Sequence, residues 1–141
     1  MREIDRVMSI ADVKLLEFPR RNDPRGNLSF VEGGNHVPFD IRRVFYLYDV
    51  PSGAMRGGHA HRIEQQVLIA LSGSFDVRLD DGREQMTVTL NRPYRGVLIP
   101  PGVWRELENF TSGSVCLTLS SIDYDESDYI RSYADFLASI K

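Results

Sequence analysis

The sequence predicts an all-β fold, a sandwich or closed barrel with a short C-terminal helix, and three observations carry that prediction. Short runs of alternating apolar and polar residues recur along the chain, clusters of Gly, Pro, Asp and Asn separate them, and helical periodicity is absent until the tail. A strand sends successive side chains to opposite faces, so alternation marks a strand with one buried face, whereas three- and four-residue spacing marks a helix with one buried stripe.

Taken in order, the alternating runs lie at 13–18, 26–32, 42–50, 66–71, 74–79, 84–90, 95–99, 104–110 and 114–120. The run Val67-Leu68-Ile69-Ala70-Leu71 is the most apolar and is read as a strand buried on both faces. Asp80-Asp81-Gly82 is the sharpest hairpin signal, because an Asp-Gly pair tolerates the positive φ that a tight turn needs. Pro100-Pro101-Gly102 ends another apolar strand in a stiff turn, and this turn chemistry favours a jelly roll among the all-β arrangements. In the tail, Tyr129, Tyr133, Phe136, Leu137 and Ile140 recur at helical spacing.

Length and composition bound the function. A chain of 141 residues is read as one domain spanning 1–141. Seventeen basic against twenty acidic residues give a net charge of −3, which excludes a general polyanion-binding surface and makes nucleic acid no partner. Arg20-Arg21, Arg42-Arg43 and Arg56 can still meet a small anionic ligand. Cys116 stands alone between Val115 and Leu117, so it is read as a buried small side chain rather than a nucleophile. Met1-Arg2-Glu3-Ile4-Asp5 lacks the apolar core of a leader, no long apolar run follows, and the expected location is the cytoplasm, with no membrane partner.

Arg56-Gly57-Gly58-His59-Ala60-His61 is where chemistry is expected. Two imidazoles one strand step apart share a face, and Gln66 can reach the same cavity from the next strand. A divalent metal site would add a carboxylate or a third imidazole, and alternation counted from His61 puts Glu64 on the wrong face. The pair is therefore read without a metal.

In their order and spacing, Arg25-Gly26-Asn27-Leu28, Ile41-Arg42-Arg43-Val44-Phe45-Tyr46, the His59/His61 motif with Gln66, Pro101-Gly102-Val103-Trp104 and the aromatic, acidic tail over 124–133 resemble one family. It is the dTDP-4-dehydro-6-deoxyglucose 3,4-ketoisomerases, the WxcM-like sugar ketoisomerase cupins, and the resemblance spans nearly the full length. It implies a cupin-type double-stranded β-helix (jelly roll) and a metal-free homodimer with exchanged N-terminal strands. It also implies an isomerase that requires no cofactor, serving deoxysugar and surface-polysaccharide biosynthesis. Arg105 departs from the family's usual histidine after the tryptophan; an arginine cannot ligate a metal and donates without accepting.

The implied reaction interconverts dTDP-4-keto-6-deoxyglucose and a 3-keto-6-deoxyhexose, with the galacto product preferred. It needs a base at C3, a donor at the developing oxyanion and a proton for C4. His61 is assigned as base, His59 as acid partner or relay, and Tyr46 as donor to a sugar hydroxyl or the enediolate, with Tyr48 its rival on the same strand face. Arg56 is assigned to the diphosphate, Arg43 and Arg105 to phosphate or sugar oxygens, Gln66 to a ligand hydroxyl or to orienting His61, and Trp104 to stacking. A cap of the final helix explains Ser127 or Asp128 without any catalytic role. The rival readings are a non-catalytic nucleotide-sugar-binding cupin, a metal-dependent cupin enzyme and a nucleotide-sugar epimerase.

Overall fold

Alternation along each run resolves into antiparallel pairing throughout the computed structural model, which describes residues 8–140; the segment Met1–Asp5 lies outside the described residues. A capped 3₁₀ turn at Ile10–Asp12 leads into β1 (Lys14–Glu17), β2 (Arg20–Arg21), β3 (Leu28–Ser29), β4 (Arg43–Leu47), β5 (Arg56–His61) and β6 (Gln66–Ser72). There follow β7 (Phe75–Asp80), β8 (Gln85–Leu90), β9 (Arg95–Ile99), β10 (Trp104–Glu108), β11 (Val115–Ser120), β12 (Tyr129–Ile130) and the helix α1 (Tyr133–Ser139). One five-stranded sheet runs β1-β9-β6-β11-β4, a second runs β12-β5-β10-β7-β8, and β2 pairs only with β3.

This corrects the expected closed jelly roll. The two large sheets are open, and among the described residues no ladder joins an edge strand of one to an edge strand of the other. Alternation and turn residues specify which residues extend and which face is buried, but the edge-to-edge hydrogen bonds that would close a barrel depend on backbone positions that no side-chain pattern encodes.

The inner faces of the two sheets meet in the main core. Leu68, Ala70, Val97, Ile99 and Cys116 of the first sheet pack against Phe75, Val77, Leu79, Val88, Leu90 and Leu107 of the second. The Asp80-Asp81-Gly82 hairpin forms as read, with Asp81 N–H donating to Glu84 O at 3.1 Å and Gly82 at φ 91°. On the outer side of the first sheet, Phe18, Val37 and Phe39 from the long 18–41 connection cover Val67, Ile69 and Leu98. On the outer side of the second, α1 seats Phe136 over Ala60, Trp104 and Ile130. Among the described residues no helix is long and apolar enough to cross a membrane.

The apolar core fills one end of the space between the sheets. At the other end the inner positions are polar, because Arg43, Ser120 and Gln66 lie side by side on β4, β11 and β6, facing β5 and β10. That end is the site.

Candidate active site

His59 and His61 occupy alternate positions of β5, and their partners in register fix what surrounds them. Arg105 of β10 stands opposite His59, and Tyr129 of β12 stands opposite His61, so all four side chains share the inner face. The imidazole rings meet edge to face with centroids 4.8 Å apart. The Tyr129 ring packs on both, at 5.0 Å from His59 and 4.4 Å from His61.

His61 is fully buried, and its Nδ1 lies 3.1 Å from Asp128 Oδ2. Asp128 comes from the 3₁₀ turn Glu126–Asp128, and it is anchored by the backbone N–H groups of Ile63 at 2.7 Å and Glu64 at 3.1 Å. A carboxyl group on Nδ1 holds the proton there and leaves Nε2 with the lone pair. The Nε2 atoms of both His59 and His61 are buried without a partner among the described residues.

Burial, reinforced by Arg105 and Arg131, depresses the His59 pKa to about 3. Burial depresses that of His61 as well, with Arg105, His59 and Arg43 adding repulsion. The Asp128 contact pulls the other way, but a fully desolvated ring facing two guanidinium groups stays neutral at physiological pH.

A chain of hydrogen bonds crosses between the sheets beside the imidazoles. Arg105 donates from Nη1 to Gln66 Oε1 at 2.7 Å and from Nη2 to Val103 O at 3.1 Å. Gln66 Nε2 donates a short hydrogen bond to Glu64 Oε2, which also accepts from Arg43 Nη2 at 3.2 Å. Burial lowers the Arg105 pKa to about 10, with Glu64 the main opposing group, so it remains a cation. Arg105 Nε, Arg43 Nη1 and Ser120 Oγ are also buried and unpartnered. An unmatched buried donor costs about 1–3 kcal/mol, and several at one place mark a polar cavity built for another molecule's oxygen atoms.

His61, Glu64 and Asp128 each bring one donor atom to within 4.8 Å of the others, a spacing a cation can use. Those donors already serve one another, Arg43 and Gln66, and a metal ion there would sit against Arg43. The set is arranged as an ion-pair network and does not fit a metal.

The structure brings His59, His61, Arg43, Gln66 and Arg105 together. It sets Tyr46 and Tyr48 elsewhere: Tyr46, alternating with Phe45 and Leu47, lies on the outer face of β4, Tyr48 follows just past the strand's end, and both are exposed. With Arg56 they line a recess of about 250 Å³. Trp104 lies on the outer face of β10, its ring 5.4 Å from Tyr133 and 5.7 Å from Phe136 beneath α1. Glu64 is buried in the site and not on the opposite face, because β5 ends at His61 and the turn that follows resets the alternation. Asp128 caps no part of α1; Ser132 does, accepting from Asp135 N–H at 3.2 Å. Sequence reasoning therefore missed Glu64, Asp128 and Tyr129 as site residues.

The residues from Tyr124 to Arg131 form the site's outer wall. Glu126 accepts from Arg131 Nε at 2.7 Å and Nη2 at 2.8 Å and from the Tyr124 hydroxyl at 2.5 Å, and the Arg131 hydrogen bond chiefly holds its carboxyl pKa down near 2. The Arg131 guanidinium carbon stands 4.2 Å from the centre of the Tyr129 ring.

The family model FdtA, described as WxcM-like, C-terminal, matches residues 11–141. A TDP-4-oxo-6-deoxy-alpha-D-glucose-3,4-oxoisomerase from Aneurinibacillus thermoaerophilus is 42% identical over 123 residues, covering 87% of this chain and 88% of the relative. Among solved structures, a 3,4-ketoisomerase from Helicobacter canadensis superposes with a TM-score of 0.89 at 43% identity, covering 92% of this chain and 97% of the other. QdtA, a sugar 3,4-ketoisomerase from Thermoanaerobacterium thermosaccharolyticum solved in complex with TDP, gives a TM-score of 0.91 at 42% identity, covering 94% and 96%.

Proposed function

Because the chain belongs to the WxcM-like FdtA family, we propose that it is a 3,4-ketoisomerase interconverting dTDP-4-keto-6-deoxyglucose and a dTDP-linked 3-keto-6-deoxyhexose. One observation carries the mechanism: His61 is a buried neutral imidazole whose Nδ1 is held by Asp128 and whose Nε2 has no partner among the described residues. That is the form a general base takes before it accepts a proton.

His61 removes the proton from C3, whose electron pair forms the C3–C4 double bond while the C4 carbonyl electrons move to oxygen. The resulting enediolate is stabilised by the free N–H groups of Arg105 and Arg43, fixed in place before reaction by Gln66 and Glu64. His59, edge-on to His61, relays protons. Arg56 with Tyr46 and Tyr48 takes the nucleotide end, guanidinium to diphosphate and aromatic faces to the base. Trp104 supports β10 from behind. The reaction uses no metal ion, since Glu64 is already held by Arg43 and Gln66, and Asp128 by His61 and the backbone N–H groups of Ile63 and Glu64.

We also propose a homodimer of single-domain chains in the cytoplasm. A groove of about 870 Å³ on the outer side of the first sheet is lined by Phe30, Val31, Ile41, Val44, Leu71 and Leu117, and the 26–32 segment of a second copy would cover it.

The test is incubation with dTDP-4-keto-6-deoxyglucose in deuterium oxide with a chelator present, followed by NMR of the product. Carbonyl migration to C3 with solvent deuterium at C4 is expected, and the C4 signals report gluco or galacto configuration. His61→Asn should lose about 10²-fold or more in kcat while remaining folded. Nucleotide binding without turnover would overturn the enzyme reading, and full activity in His61→Asn would overturn the base assignment.

A further inference from the structure

The mechanism above leaves the proton for C4 without a source. Once His61 has taken the C3 proton, a neutral His59 that only relays has no acidic proton of its own to give, and Tyr46 on the outer face of β4 and Tyr48 just past its end are both exposed. Tyr129 occupies the required place. Its register opposite His61 sends its ring to the inner face, against both imidazoles. Its hydroxyl oxygen accepts from Arg43 Nη2 at 3.5 Å, which leaves the hydroxyl proton unengaged by any described residue. Arg131 stacks on the ring at 4.2 Å. Arg43 thus meets the hydroxyl oxygen and Arg131 the ring face, two cations set against the negative charge left when the phenol gives up its proton.

We infer that Tyr129 is the catalytic acid that protonates C4, an inference that rests on the isomerase reading. The phenol O–H bond breaks as the C3–C4 double-bond electrons form the new C4–H bond. The O3 hydroxyl becomes the carbonyl, and its proton passes to O4. Tyr129 is left as phenolate and His61 as imidazolium, and a single proton transfer between the adjacent rings restores both. No further reactant is needed.

The test separates the two half-reactions. For the unaltered protein, C3 hydrogen exchange and product formation are both followed by NMR in deuterium oxide, and the same is done for Tyr129→Phe, which keeps the stacked ring. The expected result is that Tyr129→Phe forms product at least about 10²-fold more slowly yet exchanges the C3 hydrogen within about fivefold of the unaltered rate, while His61→Asn loses both. Product formation within about fivefold of the unaltered rate, or loss of C3 exchange in parallel with turnover, would overturn the assignment. Absence of exchange and turnover in the unaltered protein would instead overturn the isomerase reading, and this inference with it.

Discussion

At the scale of single residues, the site is an argument about where one proton sits. Asp128 ties down the Nδ1 proton of His61, so replacing that carboxyl by an amide, which can donate as well as accept, allows the imidazole to turn or change tautomer. Asp128→Asn is expected to lower kcat by at least about 10²-fold with KM changed less than about threefold, as read from initial rates, because substrate contacts survive while the base loses its lone pair. An unchanged kcat would show that burial alone fixes the tautomer. His59, His61 and Gln66 were legible as a group because they lie in or beside one motif, and Arg105 because it follows Trp104 in a second motif of the resemblance. Asp128 was not, since its contact with His61 spans 67 residues of sequence and an acid near a helix start reads equally well as a cap. Glu64 was misplaced for a different reason: alternation is a property of a continuous strand, and the strand stops three residues before it.

Elements were legible in proportion to their length. The runs that became β6 to β11 hold five to seven residues each, enough to show alternation or, in β6 and β9, a continuous apolar stretch, whereas β2, β3 and β12 hold two residues each and carry no pattern at all. The predicted strand at 26–32 survives only as Leu28–Ser29, paired with Arg20–Arg21. Yet β12 sets the position of Tyr129. The tail helix was read from its spacing, but its partner was not: α1 packs Leu137 and Ile140 toward the β7–β8 hairpin, where Gly82 leaves the room for them. A Cβ at Gly82 would overlap Ile140 Cδ1, and φ there is 91°. Gly82→Ala is expected to destabilise the protein by about 1–2 kcal/mol, the cost of a left-handed conformation for an L side chain, measured as a lower urea midpoint. No shift in the midpoint would mean that the hairpin and helix relax freely.

For the whole molecule, the all-β class was legible and the closure was not, because two open sheets and a closed barrel share the same alternation. Open edges matter for assembly. The edge strand β4 exposes Val44 in the groove assigned to a second copy, so light scattering across micromolar concentrations is expected to give twice the chain mass, and a monomer throughout would remove the dimer. The ion-pair network has a consequence of another kind, in the order of events during biosynthesis. Arg43, His61 and Glu64 leave the ribosome long before Asp128 and Tyr129, so the nascent chain can pair most of its strands while the His61 ring still lacks its acid partner. The apolar end of the sandwich can set first, and the reactive end is completed only when the final turn and β12 are delivered to β5. Premature termination before residue 128 would therefore release a chain with most of its core residues but an unfinished reaction centre, a product for quality control rather than a slow enzyme.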